Sequence, residues 1–143
     1  MNIEWVIPCR FVEVHDNLAT IVGAGIDTFW VPQDPRVVGL MFAIRVTALA
    51  DELGEDQQHP IAERIRDPNG AVIQEIEGQF AAGLAGEVAN PDWLQGIAVP
   101  AGAQFEAAVE GTYTVTHKFD DSEHSSPLHV VHGFPPGAAP PAA

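Results

Sequence analysis

The chain is poor in positive charge. It has 143 residues, among which 6 Lys and Arg stand against 20 Asp and Glu, for a formal net charge of −14 with the histidines neutral. Affinity for nucleic acid comes mainly from cationic side chains that neutralise phosphates, and anionic lipid heads select the same side chains. The composition therefore argues against nucleic acid and membrane surfaces as partners, and it leaves basic proteins and cations.

Cysteine and long apolar runs are also scarce. Cys9 is the only cysteine, so no internal disulfide forms, and its place between Ile7 and Phe11 predicts a small buried hydrophobe rather than a reactive thiol. No apolar run reaches the length of a membrane span. The first residues follow a strand pattern instead of the charged and apolar regions of a signal peptide. We therefore expect a cytoplasmic protein.

A sustained helical period is missing as well, which argues against α/β enzymes. Apolar and polar residues alternate instead at period two, the signature of strands with one face on a core. This parity is shared within three sets: Leu18, Val22, Ala24, Ile26 and Trp30; Val38, Leu40, Phe42, Ile44 and Val46; and Tyr113, Val115, His117 and Phe119. The pattern predicts an all-β, antiparallel β-sandwich of about eight strands, immunoglobulin- or C2-like, over residues 1–133.

Turn signals separate the predicted strands. The most specific is Asp67-Pro68-Asn69-Gly70, in which proline presets the turn and glycine takes the left-handed position. Residues 81–92 are predicted to be a long loop. For residues 103–110 the sequence allows either a short strand or a turn of helix. The Pro/Ala-rich residues 134–143 are predicted to be a flexible tail. The strands are predicted at about 3–14, 19–31, 37–49, 61–66, 72–80, 94–99, 111–119 and 128–132.

The chain resembles a family of small, single-domain bacterial β-sandwich proteins of unknown function. The residues that carry the resemblance are Glu4-Trp5-Val6-Ile7-Pro8-Cys9, a short Asp-Asn turn, Ile21-Val22-Gly23-Ala24-Gly25-Ile26, Arg66-Asp67-Pro68-Asn69-Gly70 and Gly111-Thr112-Tyr113-Thr114-Val115. These are turn and core signatures, so the resemblance implies the fold and no activity.

No catalytic motif is present. The three serines lie together at 122, 125 and 126 without a nucleophile elbow, and none of the acids is expected on an apolar strand face. If Phe119 pairs with Leu128, then His117 and His132 share a face, where we expect satisfied core or edge histidines rather than a metal site. The sequence predicts no enzyme, no cofactor and no metal.

Acidic side chains are concentrated in loops that a sandwich would gather at one end. They are Asp51, Glu52, Glu55, Asp56, Asp120, Asp121 and Glu123. Several carboxylates together could bind calcium or dock a basic partner. The alternative is that these are merely solvated loops, since no Asp-x-Asp-x-Asp-Gly cage is present.

Trp93 is the tryptophan predicted to be exposed, because it borders the long loop. It is a candidate anchor for a partner, and alternatively it covers the end of the core. The first functional hypothesis is therefore a non-enzymatic interaction or structural module that acts through a protein partner or self-association. The second is a small-ligand or calcium-binding sandwich that uses the acidic loops.

Overall fold

Strands account for most of the chain, as the alternation predicts. The computed structural model describes residues 1–54, 56–82 and 90–138. In these ranges the regular structure other than strands is a single 3₁₀ turn, Ala50–Glu52. No helix in these ranges is long and apolar enough to cross a membrane. The ten strands are β1 Asn2–Cys9, β2 Phe11–His15, β3 Leu18–Val22, β4 Thr28–Val31, β5 Val37–Ala48, β6 His59–Arg66, β7 Val72–Phe80, β8 Gln95–Glu106, β9 Gly111–Phe119 and β10 Ser122–His132.

The strands form two larger sheets of unequal size and one hairpin. The smaller sheet has the order β1-β5-β8, the larger has the order β4-β10-β9-β6-β7, and β2 pairs with β3. Among these pairs β10 and β4 are parallel and the others antiparallel. The prediction of a wholly antiparallel fold is wrong at that pair, because strand direction depends on the crossover and leaves no trace in the alternation.

The main core lies between the two larger sheets. Phe42 and Ile44 of β5 meet Ile65 of β6 and Val115 of β9, and all four are at most 1% exposed. A second cluster lies on the other face of β5, where Ala43 packs with Cys9 and Val12. β5 is thus buried on both faces in the middle of its sheet, as its sequence predicts.

Two predicted strands are each divided. The chain bends at Arg10, between β1 and β2, and glycines with positive φ (Gly23, 66°; Gly25, 77°) separate β3 from β4. The parity predicted over residues 18–30 is wrong on both sides of this break, since alternation defines two faces but does not say which one meets the core. Leu18 of β3 and Trp30 of β4 are 75% and 40% exposed. Val31 faces the core instead and is 3% exposed.

The second half of the chain differs in register. The predicted strand at 94–99 extends through Pro100 to Glu106, in the first half of the ambiguous segment, and this long strand, β8, pairs with β5 along its whole length. Phe119 pairs with Ser122 and not with Leu128, because Asp120 adopts a positive φ of 51° in a two-residue turn. His117 is therefore opposite His124, and the predicted neighbour His132 lies far along β10.

The predicted turn at 67–70 is confirmed. Gly70 has a φ of 84°, and the Asp67 carboxylate accepts hydrogen bonds from the N–H groups of Asn69 and Ala71, both at 2.9 Å. Most of the predicted loop (83–89) and the end of the predicted tail (139–143) lie outside the described residues. The domain boundary at residue 133 stays a prediction.

Candidate functional site

The acidic end brings two of the predicted binding residues together. Asp120 follows β9, and its Oδ2 lies 2.9 Å from the ammonium of Met1 and 2.9 Å from Nδ1 of His59. Oε1 of Glu52 lies 3.3 Å from the same ammonium, and the backbone carbonyl of Glu52 accepts a hydrogen bond from Nε2 of His59 at 2.7 Å. The Met1 ammonium and the His59 ring therefore occupy this site.

These contacts shift the ionisation of the groups that take part. Burial alone would raise the pKa of Asp120, but hydrogen bonds from the Met1 ammonium and His59 outweigh it and lower that pKa. Burial alone would lower the pKa of the Met1 ammonium, and the hydrogen bonds to Asp120 and Glu52 raise it instead. The pKa of Glu52 is lowered, chiefly by the backbone N–H of Leu49. Each group is thus held in its charged form.

The other predicted acidic residues that the structure describes do not join this cluster. Asp51, Asp56, Asp121 and Glu123 are exposed, and Glu55 lies outside the described residues. Within the ranges that the structure covers, no group of three or more His, Cys, Asp or Glu side chains has the geometry of a metal site. Calcium binding by these loops therefore stays a prediction.

Trp93 lies on the surface, just before β8. It is 63% exposed, as predicted, and the adjacent Leu94 is exposed to the same extent. Its backbone carbonyl accepts a hydrogen bond from the side-chain amide of Gln95 at 2.8 Å. The proposed role of Trp93 as a partner anchor stays a prediction.

A second candidate site is a groove at the open side of the sandwich, between β8 and the pair β6–β7. Its volume is about 210 Å³. We call it the edge groove and define it by Ile61, Glu63, Ile76, Val99, Ala101 and His117.

The edge groove exists because the smaller sheet ends at β8 while the larger continues to β7. Glu63 lies two residues before the fully buried Ile65 on β6, so both point to the core side of the sheet. Ile76 is the cross-strand partner of Glu63, and cross-strand partners share a face. Ile76 thus points to the same side as the core, yet it is 54% exposed. None of the strands in the described part of the chain covers it.

The floor of the edge groove carries a polar pair. Glu63 and His117 face each other across β6 and β9, and Nε2 of His117 lies 3.2 Å from Oε2 of Glu63. The His117 ring, 2% exposed, packs edge-on against Phe42 with centroids 4.5 Å apart. This packing fixes the imidazole next to the carboxyl group.

Two of the four polar side-chain atoms of this pair have no hydrogen-bond partner among the described residues. Oε1 of Glu63 and Nδ1 of His117 are buried, and neither has a hydrogen-bond partner among the described residues. A buried polar atom without a partner costs about 1–3 kcal/mol. The pair can therefore gain free energy by binding a group that donates hydrogen bonds.

The alternation in the sequence could have revealed Glu63. It has the parity of Ile61 and Ile65, so the expectation that no acid lies on an apolar strand face is wrong. His117 was predicted to be a satisfied core or edge histidine. It is in the core, but one ring nitrogen lacks a partner there.

Comparison with known proteins adds a family and no activity. The model of a family of unknown function, DUF6941, matches residues 4–131. This agrees with the resemblance to a family without an assigned function. No protein of curated function matches the chain.

Proposed function

We propose that the chain, which belongs to the family of unknown function DUF6941, is a non-enzymatic protein-interaction module whose edge groove binds an extended segment of a partner. The observation that carries the proposal is the exposure of Ile76. This side chain points to the core side of the larger sheet but is 54% exposed. Apolar surface of this kind is typical of interaction sites.

The strand that borders the groove supports this mode of binding. β7 pairs with β6 alone among the described strands, so one side of its backbone is open to a further strand. An extended peptide can combine backbone hydrogen bonds along such an edge with apolar contacts in the groove.

The charge of the protein favours a basic partner. With a formal net charge of −14, the molecule attracts cationic segments over a distance of about 8–10 Å at physiological ionic strength. Self-association, in contrast, brings two acidic surfaces together. We therefore favour a basic partner over a second copy of the chain, and we take the protein to be bacterial and cytoplasmic.

An immunoglobulin-like architecture is part of the proposal. An immunoglobulin variable-type sandwich packs a sheet of five strands on a sheet of four. The order β4-β10-β9-β6-β7 matches the five-stranded sheet, and β1-β5-β8 matches the four-stranded sheet with one edge strand missing. The hydroxyl of Tyr113, early in β9, donates to the carbonyl of Val109 at 2.9 Å and accepts from its N–H at 3.3 Å. A tyrosine bonded to the backbone just upstream marks the same corner in immunoglobulin domains. The edge groove then lies where the fourth strand would pack.

Selection from a display library of random peptides tests the function. Ile76 pairs with Glu63 on the core side of the sheet and Val72 pairs with Arg66 on the opposite side, so Ile76→Ser alters the groove and Val72→Ser is a control at an exposed apolar residue of the same strand. Peptides enriched on the unaltered protein are expected to bind the Val72→Ser variant equally and the Ile76→Ser variant about tenfold more weakly. No enrichment, or equal binding to both variants, would show that the groove is not the binding site.

A further inference from the structure

The floor of the edge groove has a chemistry that apolar peptide contacts alone do not use. Glu63 and His117 line a groove that is mostly apolar apart from Glu77, and Oε1 of Glu63 and Nδ1 of His117 have no partner in the described part of the chain. His117 donates its Nε2–H to Oε2 of the Glu63 carboxylate, and its Nδ1, on the other side of the ring, points away from that carboxylate. The Glu63 carboxylate is therefore the acceptor that the floor offers to a ligand.

We propose that the edge groove binds the ammonium group of a lysine side chain from the partner segment, with the Glu63 carboxylate as its acceptor and His117 holding that carboxylate in place. This inference rests on the proposed function, since the lysine belongs to the bound segment. It names the residue type that the site selects.

Charge and shape favour lysine over other side chains. A buried charge is stable only with an opposite charge and hydrogen bonds, and the Glu63 carboxylate supplies both. The apolar walls formed by Ile61, Ile76 and Val99 match the four-carbon stem of lysine. Arginine brings five donors in a rigid plane, which a single carboxylate already bonded to His117 does not satisfy.

The groove is open to such a side chain. Glu63 is 12% exposed through its side chain, and Gly78 lines the groove without a side chain of its own. A Cβ atom at Gly78 would lie 3.6 Å from Cγ1 of Ile61, which is an ordinary contact, and its φ is not in the left-handed region. Gly78→Val therefore narrows the groove without backbone strain and leaves Glu63 and His117 in place.

The experiment uses n-butylammonium as a probe, with n-butanol as its neutral counterpart. Binding is followed by NMR through the isoleucine methyl and histidine ring signals of the full chain. We expect saturable shifts at Ile61, Ile76 and His117 with the ammonium, and about tenfold weaker binding of the alcohol. Glu63→Gln is expected to reduce ammonium binding about tenfold, and Gly78→Val to abolish it. Far-ultraviolet circular dichroism checks that each variant is folded.

Equal binding of ammonium and alcohol, equal binding to the Glu63→Gln variant, or no shift at all would overturn the proposal. A second arm separates it from the proposed function. In a selected peptide, replacement of lysine by norleucine should weaken binding to the unaltered protein and have little effect on the Glu63→Gln variant. If peptides bind the groove without a need for lysine, the inference fails and the interaction function stands. If butylammonium binds but no peptide does, the proposed peptide-binding function fails. The groove then has an ammonium-binding site at Glu63 but no role in binding a partner segment.

Discussion

At the scale of the residue, Asp120 connects the acidic end to the rest of the fold. It occupies the turn between β9 and β10 with a positive φ, a conformation that Asp and Asn adopt more readily than most residues. Its carboxylate contacts both the Met1 ammonium and His59. An amide in its place would keep the turn and remove the charge.

Asp120→Asn is accordingly expected to lower the free energy of unfolding by about 1–3 kcal/mol, measured by urea denaturation at neutral pH. Asp121→Asn, which removes an exposed neighbouring charge, is the control and should change it little. An equal effect of the two substitutions would contradict the role of Asp120.

The pH dependence of the same variant follows from the directions of the shifts. Because the pKa of Asp120 is lowered in the folded state, its contribution is present above the unfolded pKa and is lost as pH falls through the folded value. The pKa of the Met1 ammonium is raised in the folded state, so the pH dependence of its contribution to stability has the opposite sign. That contribution is present below the unfolded pKa and is lost as pH rises through the folded value. The difference in melting temperature between the unaltered protein and Asp120→Asn should thus be greatest near neutral pH and shrink on both sides. A difference independent of pH would exclude this electrostatic origin.

Tyr113 is the other single residue on which an interpretation depends. It is 1% exposed, and its hydroxyl satisfies both backbone groups of Val109. Tyr113→Phe removes these bonds without changing the ring, so we expect a loss of about 1–2 kcal/mol in the free energy of unfolding. Chemical denaturation measures this loss, and hydrogen exchange should become faster at the Val109 amide. Unchanged stability would remove the support that the corner gives to an immunoglobulin-like fold.

At the scale of the element, the ladder between β6 and β7 predicts two very different environments on one face. Ile65 and Ile76 both point to the core side, but the first is 0% and the second 54% exposed. Replacement by alanine should cost about 2–5 kcal/mol at Ile65 and less than about 1 kcal/mol at Ile76. Thermal or urea unfolding of the pair tests this. A large loss at Ile76 would show that the groove is filled in the free protein.

The strands show how far the alternation of the sequence reaches. It identifies the faces of β5 and β9 correctly, because period two reports a face within one uninterrupted strand. It fails over residues 18–30, where Leu18 and Trp30 are exposed and Val31, of the other parity, faces the core, because alternation defines two faces without saying which one meets the core. It also leaves the register of the last hairpin open, which the left-handed conformation of Asp120 decides. The edge groove depends on how many strands each sheet receives, and that is a property of long-range pairing.

At the scale of the whole molecule, the excess of acidic over basic side chains decides how the protein responds to salt. Self-repulsion among these charges destabilises the compact state, and added ions screen it. The melting temperature should therefore rise with sodium chloride. A calcium site in the acidic loops would add a further, specific increase, because a ligand that binds only the folded state stabilises it by mass action.

We expect calcium to have no such specific effect, because the chain's own ammonium and His59 already pair with Asp120 and Glu52. The measurement compares melting temperatures in calcium chloride, magnesium chloride and sodium chloride at matched ionic strength. Equal curves for calcium and magnesium are expected. An additional increase with calcium that disappears on addition of a chelator would establish the cation-binding alternative, and its loss in Asp120→Asn but not in Asp121→Asn would locate the site at the cluster around Asp120.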